Sequence, residues 1–187
     1  MNNINRKFLT VSFLLLLVTV AVLLWFLPVD LKTAPPVTFS IIDGRRINLK
    51  NLHGKPVLVT FWATTCRSCI NEMPRLISLY NDPSIKGLEI IGVAMSYDPP
   101  NRVVEVTRRQ NVPYLISLDI DGSIAKAFND VQVTPTTFLI AQDGRVIRQK
   151  TGAMDMSELR QQIKSLLTQQ SQAISYKPQE KNIETGT

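Results

Sequence analysis

The stretch that most constrains this 187-residue chain is Pro56-Val57-Leu58-Val59-Thr60-Phe61-Trp62, with Cys66-Arg67-Ser68-Cys69 following shortly after. A continuous apolar, β-branched run predicts a strand buried on both faces. Behind it, Cys69, Ile70, Met73, Leu76, Ile77 and Tyr80 recur at helical spacing, which predicts a helix over 69–80 with one apolar stripe. Pro74 falls inside that helix, where it removes a backbone donor and is expected to kink it. A strand covered on both faces cannot stand alone, so the rest of the chain must supply neighbouring strands and covering helices.

The remaining pattern does so. Residues 37–42 read as a strand, Asp43-Gly44 as a tight turn and 45–49 as the returning strand. Residues 88–94 form a second continuous apolar strand, and 101–111, opened by Pro99-Pro100, read as a helix. A strand over 114–118, a short helix over 123–128 and a strand over 136–141 follow; Asp143-Gly144 turns the last into a partner over 145–150. Asp155 caps a final helix carrying Leu159, Ile163, Leu166 and Leu167 on one face, with Glu158 completing a capping box. Strands alternating with helices predict an α/β domain with a mainly parallel central sheet, closed by antiparallel hairpin strands. The folded domain is expected over 37–169, after a proline-containing linker over 28–36. Residues 170–187 are polar, without apolar periodicity, and read as a disordered tail.

Upstream, the 20 residues from Phe8 to Leu27 carry no charge, enough at helical rise to cross a hydrocarbon core of ~30 Å. Arg6 and Lys7 precede the run and no acid occurs before Asp30, which predicts a cytoplasmic N-terminus over 1–7 and an exported remainder. The run exceeds the ~7–15 residues of a signal-peptide core and ends Trp25-Phe26-Leu27-Pro28 rather than in small residues. An uncleaved single-pass anchor over 8–27 in the cytoplasmic (inner) membrane is therefore expected, with a periplasmic or other extracytoplasmic C-terminal domain. Without residues 1–27, which hold two basic residues and no acid, 21 basic and 15 acidic residues become 19 and 15, a net +4. The basic residues are scattered and form no aromatic-and-basic patch, so no nucleic-acid partner is expected.

Two cysteines and one histidine exclude more than the charge does. They cannot fill a four-ligand structural zinc site, nor staple a disulfide-rich scaffold. His53 lies in the turn-like stretch Asn51-Leu52-His53-Gly54-Lys55, a poor place for the base of a Ser–His–Asp hydrolase. What remains is the cysteine pair itself. Its spacing in the first turn of a helix permits a disulfide and puts Cys66 at the helix N-terminus, where free N–H groups and the helix dipole favour a thiolate. Cys66, at the exposed end, is expected to attack a substrate disulfide, and Cys69, one turn further in, to resolve the mixed disulfide. Arg67 adds a cation beside Cys66. A passive structural bridge and half of a metal site are the competing readings; so short a ring stabilises little, and no second ligand pair exists. The other marked stretch is Val133-Thr134-Pro135-Thr136-Thr137-Phe138, where Pro135 heads an apolar strand and is either a plain strand start or a cis-proline.

Taken in order, Phe61-Trp62-Ala63-Thr64-Thr65-Cys66-Arg67-Ser68-Cys69, Glu72-Met73-Pro74, Thr134-Pro135-Thr136-Thr137-Phe138 and Asp143-Gly144-Arg145 resemble the thioredoxin-fold family. More narrowly they resemble its membrane-tethered TlpA/ResA-like thiol–disulfide oxidoreductases, over about residues 37–167. The resemblance implies a thioredoxin-like fold with an N-terminal hairpin and a central strand–helix insertion over about 112–130, preceded by one transmembrane helix. It implies a protein disulfide reductase, of the kind that includes the cytochrome c maturation reductases, with Cys66 and Cys69 as the redox-active disulfide and no cofactor or metal. Trp62, Thr134 and Pro135 would be the substrate-binding residues, Pro135 as a cis-proline facing the disulfide. Glu72 would tune the pKa of the buried thiol or relay its proton. Clients would be disulfide-containing proteins such as apocytochrome c, and a membrane electron donor of the DsbD/CcdA type would reset the pair.

Departures from the family pattern bear on direction. Arg67-Ser68 replaces the usual Gly-Pro or Glu-Pro, Thr65 stands where a second Trp is common, and Thr60 occupies the place of the buried acid of thioredoxin. A cation beside Cys66 stabilises the reduced form and pushes the potential toward oxidant, so a disulfide oxidase or isomerase is the alternative within redox chemistry. A non-catalytic peptide-binding module is the alternative outside it. A peroxiredoxin would need Thr at position 63, which is Ala, and a copper-carrying Sco relative would need CxxxC with a later His.

Overall fold

The computed structural model describes residues 12–13, 15–19 and 33–175, with side chains through 169. The chain divides into two units, Met1–Asp30 and Leu31–Thr187. In the first unit, residues 12–13 and 15–19 are helical. Most of the expected anchor over 8–27 lies outside the described residues, and among those described no helix is long and apolar enough to cross a membrane. The cytoplasmic segment over 1–7 and residues 176–187 of the expected tail also lie outside them.

The second unit is an α/β sandwich. A hairpin of β1 (Thr38–Ser40) and β2 (Arg46–Asn48) forms its own antiparallel sheet. The main sheet has the order β5-β4-β3-β6-β7, made of β3 (Val57–Trp62), β4 (Glu89–Ala94), β5 (Leu115–Leu118), β6 (Thr136–Ile140) and β7 (Val146–Thr151). β3, β4 and β5 are mutually parallel; β6 runs antiparallel to β3, and β7 to β6. The mainly parallel sheet with a closing hairpin is thus the one the alternation predicts. The helices are α1 (Arg67–Tyr80), α2 (Pro100–Arg109), α3 (Ser123–Ala127) and α4 (Met156–Ser175). β5 and α3 are the expected central insertion. α4 continues six residues beyond 169, into the stretch read as a disordered tail. α1 runs unbroken through Pro74, although that residue donates no backbone hydrogen bond.

β3 is buried at every position because each face has its own cover. Leu58 and Trp62 pack with Met73, Leu76 and Leu79 of α1, Val103 of α2, and Leu159 and Ile163 of α4. Val57, Val59 and Phe61 point the other way, into a cluster with Phe39 and Leu49 of the hairpin side and Ile124 and Phe128 of the insertion. That second cluster centres on three edge-to-face aromatic contacts, Phe61–Phe128, Phe61–Phe138 and Phe128–Phe138, with ring centroids 5.4, 6.0 and 5.0 Å apart. Alternation across β3 therefore sends Trp62 toward the helix that carries the cysteines and Phe61 away from it.

The sheet also sets where the loops emerge. In register, Trp62 pairs with Ala94, and Ala94 with Leu118, so the three parallel strands end in one row. β6 begins at the same edge, with Thr136 opposite Phe61. Loops 63–66, 95–99 and 119–122 and the segment before Thr136 therefore share the carboxyl end of the parallel strands, the usual place for a site in such a sheet. Phe138 is fully buried between two rings, so Phe138→Ala should cost ~3–5 kcal/mol in urea unfolding with the cysteine pair still forming; a loss under ~1 kcal/mol would contradict this packing.

Candidate active site

The site begins where β3 turns into α1. A tight turn over 63–66 is closed by the Cys66 N–H donating to Ala63 O at 3.1 Å. Cys66 is the N-cap of α1, and its Sγ takes the role usually played by a Ser or Asp oxygen, accepting the Cys69 backbone N–H at 3.2 Å. The helix thus starts at Arg67, two residues earlier than the apolar spacing predicts, because the cap rather than the stripe sets its first turn. Cys66 and Cys69 form a disulfide, S–S 2.09 Å and Cα–Cα 5.3 Å. Cys66 is half-buried, whereas Cys69 is 4% exposed. The access difference is the one the sequence predicts for an outer and an inner sulfur.

Arg67, expected to stabilise a Cys66 thiolate, is exposed and makes no ion pair among the described residues. The polar side chain against Cys66 is instead Ser68, whose Oγ lies 3.3 Å from Sγ. Sequence reasoning passed over Ser68; its place on the first turn, level with the cap, was the available signal.

Behind Cys69 a cavity of about 10 Å³, near the lower limit for one water molecule, is lined by Thr60, Trp62, Cys69, Glu72, Tyr114 and Pro135 among others. Glu72 is 3% exposed and its Oε1 accepts the Met154 backbone N–H at 2.7 Å. Burial pushes its carboxyl pKa up, against the smaller pull of the Met154 N–H and of Arg75. Tyr114 faces the same space; burial, and secondarily the Glu72 charge, push its pKa up. Tyr114 was not singled out by sequence, where it only opened the strand expected over 114–118; the structure starts that strand at Leu115. The Thr60 hydroxyl shares a 2.9 Å hydrogen bond with that of Thr137, a neutral pair in place of a buried acid.

Pro135 is buried and follows Thr134 through a cis peptide bond, as the resemblance implies. It is brought together with Cys69 and Glu72 in the cavity wall. Thr134 is half-buried and Val133 is 57% exposed, leaving this segment open at the surface beside the site. Trp62 differs from expectation. It is 3% exposed, with Nε1 buried and without a hydrogen-bond partner among the described residues, and packs so tightly on Gly92 that a Cβ there would stand 3.2 Å from Nε1. It supports the cysteine helix from below and offers a client no surface.

The comparisons agree with this geometry. The Redoxin family pattern matches residues 31–163. The thiol–disulfide oxidoreductase ResA of Bacillus thuringiensis subsp. konkukian is 32% identical over 136 residues, 72% of this chain and 77% of that protein. The chain belongs to the Redoxin family, as a thiol–disulfide oxidoreductase of the ResA type. ResA of Bacillus subtilis is 34% identical over 66% of this chain and 68% of its own. Among solved structures, a putative thioredoxin from Neisseria meningitidis superimposes with TM-score 0.68 and 31% identity, covering 74% of this chain and 92% of its own. StoA from Bacillus subtilis, at 24% identity and TM-score 0.60 over 68% of this chain and 97% of its own, shares the fold.

The buried Glu72 gives a pH signature. Its folded pKa lies above the unfolded value of ~4.3, so the folded state holds the proton more tightly and stability falls as pH rises through that window. Glu72→Gln keeps an oxygen for the Met154 N–H and removes the charge. Thermal unfolding of the oxidised protein should show the variant gaining over the parent as pH rises above ~4, with no gain below; a difference independent of pH would contradict a buried titrating carboxyl.

Proposed function

We propose that this ResA-type oxidoreductase is a membrane-tethered, extracytoplasmic protein disulfide reductase, with Cys66 as the attacking sulfur and Cys69 as the resolving one. The single observation that carries the reading is the asymmetry of the pair: a half-buried sulfur capping a helix, joined to a buried one beside a carboxyl. The Cys66 thiolate attacks one sulfur of a client disulfide, forming a mixed disulfide and releasing one client thiolate. Cys69 then gives its proton to Glu72 and attacks the Cys66 sulfur, releasing the second client thiolate and closing the Cys66–Cys69 bond. Two electrons pass to the client, whose two thiolates each take up a proton. A raised Glu72 pKa suits this role, because a buried carboxylate takes up a proton more readily than an exposed one.

Thr134, with an exposed neighbour in Val133 and the cis-proline behind it, is the segment against which an extended client chain would lie. The uncharged run from Phe8 to Leu27 supports the tether, and the lone Arg6 and Lys7 ahead of it support export of the domain. A client with vicinal cysteines, such as the haem-attachment motif of an apocytochrome c, fits a two-electron reductant of this kind. A membrane dithiol donor of the DsbD/CcdA type would return the electrons.

Replacement of the resolving sulfur tests the assignment. Cys69→Ser, expressed in the full chain, should accumulate mixed disulfides through Cys66 that dithiothreitol releases, while Cys66→Ser accumulates none. A folded Cys69→Ser protein that captures no partner would contradict the exchange mechanism.

A further inference from the structure

Beside the cysteine pair lies a contact that this exchange chemistry leaves unused. Asp98, in the loop after β4, is 5% exposed. Its Oδ2 accepts the Thr64 backbone N–H at 2.6 Å and its Oδ1 accepts the Thr64 hydroxyl at 2.6 Å. Both carboxylate oxygens are thus committed to one residue of the 63–66 turn, two positions before Cys66. Hydrogen bonds to an ionised acceptor are shorter and stronger than neutral ones. Asp98 is itself fixed. Its N–H donates to Met95 O at 2.9 Å, and the Met95 N–H donates to Trp62 O at 3.0 Å. Pro99, the next residue, is the N-cap of α2.

We propose that Asp98 is a positioning residue for Cys66: through Thr64 it holds the 63–66 turn so that the Cys66 sulfur stays over the first turn of α1 when the disulfide is open. In the oxidised protein the S–S bond already ties Cys66 to Cys69. In the dithiol that tie is gone. The Cys66 sulfur then keeps its place through the weak Cys69 N–H bond, the turn closed at Ala63 and the clamp on Thr64. A thiolate that drifts from the helix N–H groups loses the interaction that favours it over the thiol. The clamp therefore acts mainly on the reduced state, the state that attacks. An opposite influence is distinguishable: the Asp98 charge, felt directly, would disfavour a nearby thiolate, so its removal would help rather than hinder.

The inference rests on Cys66 being the attacking thiol, and one experiment separates the two ideas. The reduced full-length protein is alkylated with iodoacetamide across pH, with the labelled cysteine located by mass. Asp98→Asn replaces one acceptor by an NH₂ group that cannot accept; Thr64→Val removes the hydroxyl; Thr64→Ser keeps both donors. Asp98→Asn and Thr64→Val should both move the Cys66 midpoint to higher pH and slow alkylation at pH 7 about three- to tenfold, while Thr64→Ser follows the parent. Should Asp98→Asn fail to fold, Thr64→Val against Thr64→Ser carries the comparison. An unmoved midpoint, even with lowered thermal stability, overturns the proposal, as does a shift to lower pH in Asp98→Asn. Labelling of Cys69 ahead of Cys66 contradicts the assignment of the attacking thiol, and with it the inference.

Discussion

One hydrogen bond organises the active end of this molecule: the Cys69 backbone N–H donated to the Cys66 sulfur at the start of α1. It makes a cysteine the cap of a helix. A cap must accept from the first turn, and a sulfur that accepts well is one that carries negative charge comfortably. The same geometry separates the two sulfurs by one turn, so that one is reachable from solvent and the other lies under the helix. Strand β3 brings the chain to this point, and the apolar clusters on its two faces hold β3 in the middle of the sheet.

The surroundings of the pair pull in two directions. Helix N–H groups and the Ser68 hydroxyl favour the Cys66 thiolate, which stabilises the dithiol and makes the protein a better oxidant. The region behind Cys69 is buried and carries a carboxyl whose ionised form is costly there. That environment disfavours a second charge at Cys69 and favours the closed disulfide, a pull toward giving electrons up. The proposed reductase activity requires the second effect to prevail. Arg67, which would have strengthened the first, points into solvent without an ion pair among the described residues.

Much of this was legible in the sequence, for identifiable reasons. β3 and β4 could be read because strands buried on both faces leave unbroken apolar runs, and the insertion because its strand and short helix keep their own patterns. The unequal exposure of Cys66 and Cys69 followed from their position relative to the helix start. The burial of Glu72 had a visible signal too: positions 69, 72, 73 and 76 form one helical stripe, and all four are buried. The end of α4 was misjudged because a polar, Gln-rich helix continues on backbone bonds after its apolar stripe has stopped. Contacts joining distant segments left no local trace. Met154 reaches Glu72 across 82 positions and Asp98 reaches Thr64 across 34. Trp62 was misread as a client surface because residue type alone does not say on which side of a strand end the ring falls.

The reduction potential of the Cys66–Cys69 pair, measured by equilibration with glutathione or dithiothreitol buffers, tests the direction of electron flow most directly. The account predicts a value at or below about −200 mV, in the range of dithiols that donate electrons to protein disulfides. A value near about −120 mV, that of a strong periplasmic oxidant, would contradict it.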